Sequence, residues 1–302
     1  MNVHRSEAAD EPFATLTLPD GRALGYLQVG APDGPAVFHF HGHGSSRLEA
    51  LALADHALAH GLRVIAFDRP GIGRSDPCIG DRLLRWPADM VSAADALKID
   101  KFAVQGMSAG ASYALACAAR IPHRLSACAL VSAVPPPEIA RRAGPGLRRL
   151  VWWAAHRFPN HLRRRLQEFR PDGPPNAEMV RRRMVRVSQW LGGEDARLMG
   201  DPRLRAMLAR TMMETARQGA AANNSEIERL VRPWGFDVRK IKLDKIFVWH
   251  GAADRIMPIG PARVLARSLA GCQPVFYRDE GHFSVLVNRA DELLAALASQ
   301  HR

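Results

Sequence analysis

The sequence predicts an α/β fold in which a mainly parallel β-sheet is interrupted by a helical insertion. Short apolar runs of strand length alternate with helical patterns in the first half of the chain, and the same alternation returns near its end. The segment between them shows helical spacing and loops without a convincing strand. Because neither flanking part makes a full sheet alone, we expect one core domain from residues 1–137 and 241–302, with a helical insertion over 138–240.

The first part of the chain supplies most of the predicted sheet. Apolar and polar residues alternate over 13–30 on both sides of Pro19-Asp20-Gly21, which predicts a β-hairpin. Helical spacing separates the later apolar runs, so these strands should pair in parallel through right-handed crossovers. The strands lie within 36–42, 63–71, 101–107 and 125–134, and the helices lie within 48–61 and directly after Ser108.

Three consecutive prolines, from Pro135 to Pro137, end the last of these strands. The strand and helix pattern resumes after the insertion. It predicts strands within 245–251 and 274–279 and helices within 261–271 and 289–300.

The composition indicates a globular protein. The chain has 302 residues, 47% of them apolar, and it lacks the long apolar run of a membrane span. Its first residues do not have the apolar core of a secretory signal. The four cysteines lie far apart without metal-ligand spacing, and Cys117 and Cys128 fall in apolar stretches. We therefore expect buried free thiols in a reducing compartment and a cytoplasmic location.

The net charge is concentrated in the insertion. Residues 138–240 carry 22 of the 42 basic residues but only 11 of the 30 acidic ones, and the whole chain has a net charge of +12. A solvated, Arg-rich helical surface is the simplest explanation, and an anionic substrate, an acidic partner or an anionic membrane surface are alternatives. The segment 146–166 mixes Arg with Trp in the manner of an interfacial helix, but Pro159 would break it in two. Packing of Trp152 and Trp153 inside the insertion is the simpler interpretation.

Ser108 lies between a predicted strand and a predicted alanine-rich helix, in the sequence Gly106-Met107-Ser108-Ala109-Gly110. This fits G-x-S-x-G, in which a serine on a tight strand-to-helix turn exposes its hydroxyl at the end of a sheet. Strand and helix approach closely at such a turn, so the residues two positions away must be small. To act as a nucleophile, the serine also needs a base, an orienting acid and donors for an oxyanion.

The base and the acid follow in a suitable order. His282 lies in a loop after the last predicted strand, where it can act as the base. Asp254 lies just past the preceding strand, where it can orient that base. The order Ser108, Asp254, His282 is the one associated with this serine motif.

Two backbone N–H groups are expected to hold the oxyanion. The first belongs to Ala109, which follows the nucleophile at the start of its helix. The second is expected in the loop His41-Gly42-His43-Gly44, where His43 N–H is the preferred donor and Gly44 is its neighbour. The glycines of this loop allow a close approach of backbone to substrate.

Together these segments resemble the α/β-hydrolase superfamily. "HGHGSSRLE" resembles its HGxPxSR-type oxyanion segment, with Gly44 where proline is frequent, and "FDRPGIGRSD" (67–76) resembles its DRPGxGxSD turn. "GMSAG", "HGAADRIMP" and "EGHF" resemble its nucleophile, acid and base segments. The resemblance covers 13–134 and 245–300 and implies that the insertion is the helical cap, which carries substrate choice. It also implies mostly structural roles for Asp68, Arg69 and Asp76.

The resemblance implies a two-step acyl transfer on Ser108 that needs no metal or other cofactor. The leading hypothesis is a carboxylesterase-like hydrolase of a small-molecule ester. Hydrolysis of an amide, a lactone or a carbon–carbon bond beside a carbonyl is an alternative on the same residues. A non-catalytic, small-molecule-binding protein of the same fold is another. No known nucleic-acid-binding module is present, and the sequence does not indicate an oligomeric state.

Overall fold

A computed structural model describes residues 4–5, 13–78, 80, 83–143, 146, 157, 177–219 and 221–301. Apart from Gly146 and Arg157, the segment 146–166 that resembles an interfacial helix lies outside these residues. None of the described helices is both long enough and apolar enough to cross a membrane.

One nine-stranded sheet forms the centre of the described structure, in the order β1-β2-β3-β5-β4-β6-β7-β8-β9. The pairs among β1, β2, β3 and β5 are antiparallel, and every pair from β5 to β9 is parallel. The predicted α/β class with a mainly parallel sheet is thus confirmed. The strands are β1 (His4–Arg5), β2 (Phe13–Thr17), β3 (Ala23–Gly30), β4 (Ala36–Phe40), β5 (Arg63–Phe67), β6 (Phe102–Met107), β7 (Leu125–Val131), β8 (Ile246–Gly251) and β9 (Cys272–Tyr277).

The helices outside the insertion cover the two faces of this sheet. They are α1 (Ala54–Ala59), α2 (Trp86–Ala96), α3 (Gly110–Arg120), α9 (Ile259–Ser268), α10 (Ser284–Asn288) and α11 (Ala290–Ala298). Side chains of α2, α3 and α9 bury one face, and side chains of α1, α10 and α11 bury the other. On the first face the rings of Phe38 and Phe102 stack with their centroids 4.1 Å apart. Apolar side chains of the helices therefore cover both faces of the sheet, as a parallel sheet requires.

Some elements outside the insertion differ from the sequence-based expectation, among them the short helix α10, which was not expected. The helix expected within 48–61 begins as a 3-10 helix, Arg47–Leu53, before α1. Helix α2 and the two-residue strand β1 were not expected. Helix α2 buries side chains on much of its circumference, so it lacks the polar and apolar alternation that marks a surface helix.

The segment 138–240, called the cap below, lies between β7 and β8. Its described residues form helices and connections and no strand. The helices are α4 (Pro137–Ala143), α5 (Ala177–Trp190), α6 (Gly193–Leu198), α7 (Pro202–Thr215) and α8 (Ala221–Val231). The cap contacts the loops that follow β4, β5, β8 and β9, at the carboxyl ends of these strands, where loops can build a site.

Candidate active site

Ser108 forms the sharp turn between β6 and α3. Its φ of 53° lies in the left-handed region, which residues with a side chain seldom adopt. A Cβ on Gly106 would overlap the backbone of Gly110, and a Cβ on Gly110 would overlap the carbonyl group of Phe40. The close approach predicted for this turn is therefore present, and only glycine fits at these two positions.

His282 and Asp254 lie together at the ends of two neighbouring strands. His282 Nδ1 lies 2.8 Å from Asp254 Oδ2, and both side chains are buried. Asp254 Oδ1 accepts the N–H groups of Ile256 and Met257, each at 2.7 Å. An imidazole that donates a proton from Nδ1 to such a carboxylate has Nε2 left as the acceptor when the ring is neutral. His282 and Ser108 line the same cavity.

Arg69 shapes the loop from His41 to Gly44. Its guanidinium donates to the carbonyl oxygens of His41 and Gly42. Carbonyl and N–H point in opposite directions across a trans peptide, so the bond to Gly42 turns the His43 N–H away from Arg69. Among the described residues, the N–H groups of His43, Gly44 and Ala109 have no acceptor, and all three residues line the cavity. Backbone N–H groups of this kind can donate to an oxygen atom bound in the cavity.

Glu226, on helix α8 of the cap, is a residue of this site that sequence reasoning missed. It is 1% exposed and accepts hydrogen bonds from Arg69 Nε and, at 2.8 Å, from His43 Nδ1. Burial alone would raise the pKa of Glu226, but Arg69 and His43 together hold it well below its ordinary value. Its partners lie 157 and 183 residues away in the chain, so no local pattern could have indicated these contacts.

The cavity around Ser108 has a volume of about 450 Å³ and is mostly apolar. Part of its wall is a set of methionines, namely Met107, Met184, Met199, Met212 and Met257. No Arg or Lys occurs among the described residues of the wall, and Glu49 is its one carboxylate. The Glu49 carboxylate accepts the Gly42 N–H at 3.2 Å and lies 3.0 Å from His39 Nε2.

Two further observations concern other kinds of site. A second, more open groove between α9 and β9 is lined by Arg263, Arg267 and Phe276, but it contains none of the predicted site residues. Within the described part of the chain, no cluster of three or more His, Cys, Asp or Glu is suited to hold a metal ion.

Comparison with known proteins identifies the class. The model of the α/β-hydrolase fold family matches residues 35–289, so the chain belongs to this family. The chain is 37% identical over 136 residues to a non-heme chloroperoxidase of Streptomyces lividans, which covers 44% of this chain and 49% of that protein. It is 30% identical over 132 residues to a bifunctional esterase/perhydrolase of Acinetobacter calcoaceticus, with 43% and 48% covered.

The chain spans about half the length of these two curated relatives. A solved structure of a hydrolase from Pseudomonas aeruginosa matches 98% of this chain and 99% of its own, with a TM-score of 0.71. At 20% sequence identity this last similarity shows the fold alone.

Proposed function

We propose that this chain is a serine hydrolase that cleaves carboxylic esters through an acyl-enzyme on Ser108. One observation carries the proposal. Ser108 stands at the sharp turn after β6 and lines one cavity with His282, whose Nδ1 lies 2.8 Å from Asp254. Membership of the α/β-hydrolase family and the esterase among the curated relatives support it.

In the first step Ser108 Oγ attacks the carbonyl carbon of the ester. His282 Nε2 takes the hydroxyl proton, and Asp254 stabilises the imidazolium that forms. The carbonyl oxygen becomes an oxyanion, to which the N–H groups of His43 and Ala109 donate, with Gly44 as the neighbouring donor. The tetrahedral intermediate then collapses, the carbon–oxygen bond to the leaving group breaks, and His282 gives the proton to the departing alcohol.

In the second step water attacks the acyl group on Ser108. His282 takes a proton from that water, and the same N–H groups hold the second oxyanion. When the acyl–oxygen bond breaks, Ser108 recovers its proton from His282 and the carboxylic acid leaves. The net reaction consumes one ester and one water and yields one acid and one alcohol.

The wall of the cavity favours an uncharged, apolar acyl group. Methionine side chains are flexible and polarisable, so they can adapt to acyl groups of different shape. An anionic substrate was one explanation of the basic charge of the cap. No described Arg or Lys lines the cavity, however, and Glu49 would repel a second carboxylate there. Exposed cap arginines such as Arg182 and Arg197 fit the simpler explanation of a solvated surface.

A second candidate reaction is perhydrolysis on the same acyl-enzyme. It is suggested by the curated relative that is both esterase and perhydrolase. Hydrogen peroxide would replace water in the second step, His282 would take its proton, and a peracid would leave when the bond to Ser108 breaks. Addition of peroxide to an ester assay, with peracid measured beside acid, distinguishes the two reactions.

The test is hydrolysis of p-nitrophenyl esters from acetate to long-chain acyl, with Ser108→Ala beside the wild type. We expect Ser108→Ala to lose turnover and the wild type to prefer neutral acyl chains. Ser112→Ala is the matched control, because the Ser112 hydroxyl is committed to the carbonyl oxygen of Ala109 at 2.7 Å. Equal turnover in wild type and Ser108→Ala would overturn the proposal. Binding of these esters without turnover would favour a non-catalytic binding protein instead.

A further inference from the structure

Asp195, on helix α6 of the cap, holds the loop that carries His282. The residue is 1% exposed. Its Oδ2 accepts the His282 N–H at 2.6 Å, and its Oδ1 accepts the N–H groups of Phe283 at 2.9 Å and Ser284 at 2.8 Å. A single side chain thus binds three consecutive backbone donors of this loop.

The loop is built around this carboxylate. A Cβ on Gly281 would overlap the Asp195 carboxylate, whose atoms are the three nearest to that position. Gly281 N–H donates to Ser284 Oγ at 2.7 Å, and Ser132 Oγ donates to the His282 carbonyl oxygen at 2.9 Å. The absence of a side chain at Gly281 is therefore explained by the space that the Asp195 carboxylate fills.

Among the residues that the structure describes, the Asp195 carboxylate has these three backbone N–H groups as its hydrogen-bond donors. A buried carboxylate normally requires a charged partner or several hydrogen bonds. Here three backbone N–H groups supply that stabilisation. The side chain is therefore committed to the backbone of the His282 loop.

We propose that Asp195 is a positioning residue for His282, so that the cap supplies part of the catalytic geometry. The inference rests on the proposed function. His282 is held at two points, because Asp254 binds Nδ1 of its ring and Asp195 binds its backbone N–H. Displacement of the loop by about 1 Å would change the position of Nε2 relative to Ser108 Oγ, and misplacement on that scale can cost about 10²-fold in rate.

The first test is Asp195→Asn, assayed with the best neutral ester. An asparagine has one acceptor oxygen, so at least one of the three N–H groups would face its NH₂ group. We expect kcat to fall about 10- to 100-fold with KM changed less than about threefold, because His282 acts in the chemical steps and not in binding. Glu194→Gln, the neighbouring acid on the same helix, pairs with Arg197 and is the matched control.

The second test is a double-mutant cycle with Gly281→Ala. Gly281→Ala should lower kcat like Asp195→Ala, because its methyl group displaces the carboxylate. In the Asp195→Ala background the same methyl group finds room, so Gly281→Ala should cause little further loss. Such non-additivity is expected only if both changes act through one contact. Circular dichroism and size-exclusion chromatography establish that each variant is folded.

A third readout does not depend on turnover. In the wild type, the proton between His282 Nδ1 and Asp254 should give a strongly downfield ¹H NMR signal that Asp195→Asn shifts or broadens. Unchanged kcat in folded Asp195→Asn, additive losses in the cycle, or an unchanged signal would each overturn the positioning role. Absence of esterase turnover in the wild type would instead overturn the proposed function, and the NMR signal would still decide on Asp195.

Discussion

Asp254 orients His282 from a position that is itself fixed. Oδ2 lies 2.8 Å from His282 Nδ1, while Oδ1 accepts two backbone N–H groups at 2.7 Å, from Ile256 and Met257. The carboxylate cannot rotate without breaking these two bonds. One oxygen is therefore always presented to Nδ1, which favours the tautomer with the ring proton on that nitrogen.

Asp254→Asn should reverse this tautomer. The amide oxygen would remain on the two N–H groups, so the NH₂ group would face His282 Nδ1 and force the ring proton onto Nε2. We expect kcat to fall by about 10⁴-fold with the fold retained. Ester hydrolysis and circular dichroism measure the two quantities. The exposed Asp279→Asn should behave as wild type, and a loss below tenfold in Asp254→Asn would contradict this role.

Glu226→Gln should weaken the oxyanion loop. The neutral amide would leave Arg69 without its buried counter-charge, and the guanidinium would hold the carbonyls of His41 and Gly42 less firmly. We expect kcat to fall about 10- to 100-fold, because in the proposed mechanism the His43 N–H stabilises the transition state. The control is Glu228→Gln on the same helix, which lies 4.0 Å from Arg232 near the surface. Equal kinetics of both variants would argue against a role of Glu226 in the loop.

The negative charge of Glu49 should make the enzyme prefer neutral esters over anionic ones. An ester whose acyl group ends in a carboxylate places a second negative charge in a mostly apolar cavity, where repulsion is weakly screened. We expect its kcat/KM to lie at least about tenfold below that of a neutral ester of equal size. Glu49→Gln removes the negative charge, so the difference in kcat/KM between the two esters should become smaller. The amide oxygen of Gln can still accept the Gly42 N–H, so this hydrogen bond is kept. The same kcat/KM for both esters would show that Glu49 has no such influence.

Buried His41 should make the protein less stable in mild acid. Burial, together with the positive charge of Arg69, lowers the pKa of His41 to about 3 from its ordinary value of 6.5. Between these values the unfolded chain binds a proton that the folded chain does not, so the free energy of unfolding falls as pH falls. One such residue contributes up to about 1.4 kcal/mol per pH unit.

Urea unfolding at several pH values between 7 and 5 measures this dependence. His41→Asn keeps a side-chain donor for the carbonyl oxygen of Gly42, which His41 Nδ1 contacts at 2.9 Å, but it has no titrating group. Its free energy of unfolding should therefore fall less steeply with pH than that of the wild type. Burial also lowers the pKa of His250, so part of the slope should remain. Parallel curves for the two proteins would refute the contribution of His41.

The structural features that could be predicted from the sequence are those that depend on residues close together in the chain. Short apolar runs predicted most of the strands. Small residues at fixed spacing predicted the turn at Ser108. The contacts of Asp195 and Glu226 could not be predicted in this way. The first binds backbone N–H groups, which have no sequence signature, and the second binds Arg69 and His43 across more than 150 residues. Both acids looked like ordinary charges of solvent-exposed helices.

Buried contacts between the cap and the core limit the exchange of caps between this protein and its relatives. Asp195, Glu214 and Glu226 each reach into the core, and Glu214 binds Arg47, which also binds Asp68. A chimera that carries a foreign cap would leave Arg69 buried without Glu226 and Arg47 with Asp68 alone, at a cost of about 3–5 kcal/mol for each broken pair. Natural diversification of substrate range in this lineage should therefore proceed by exchange of wall residues such as the methionines, while the three acids and their partners in the core change together.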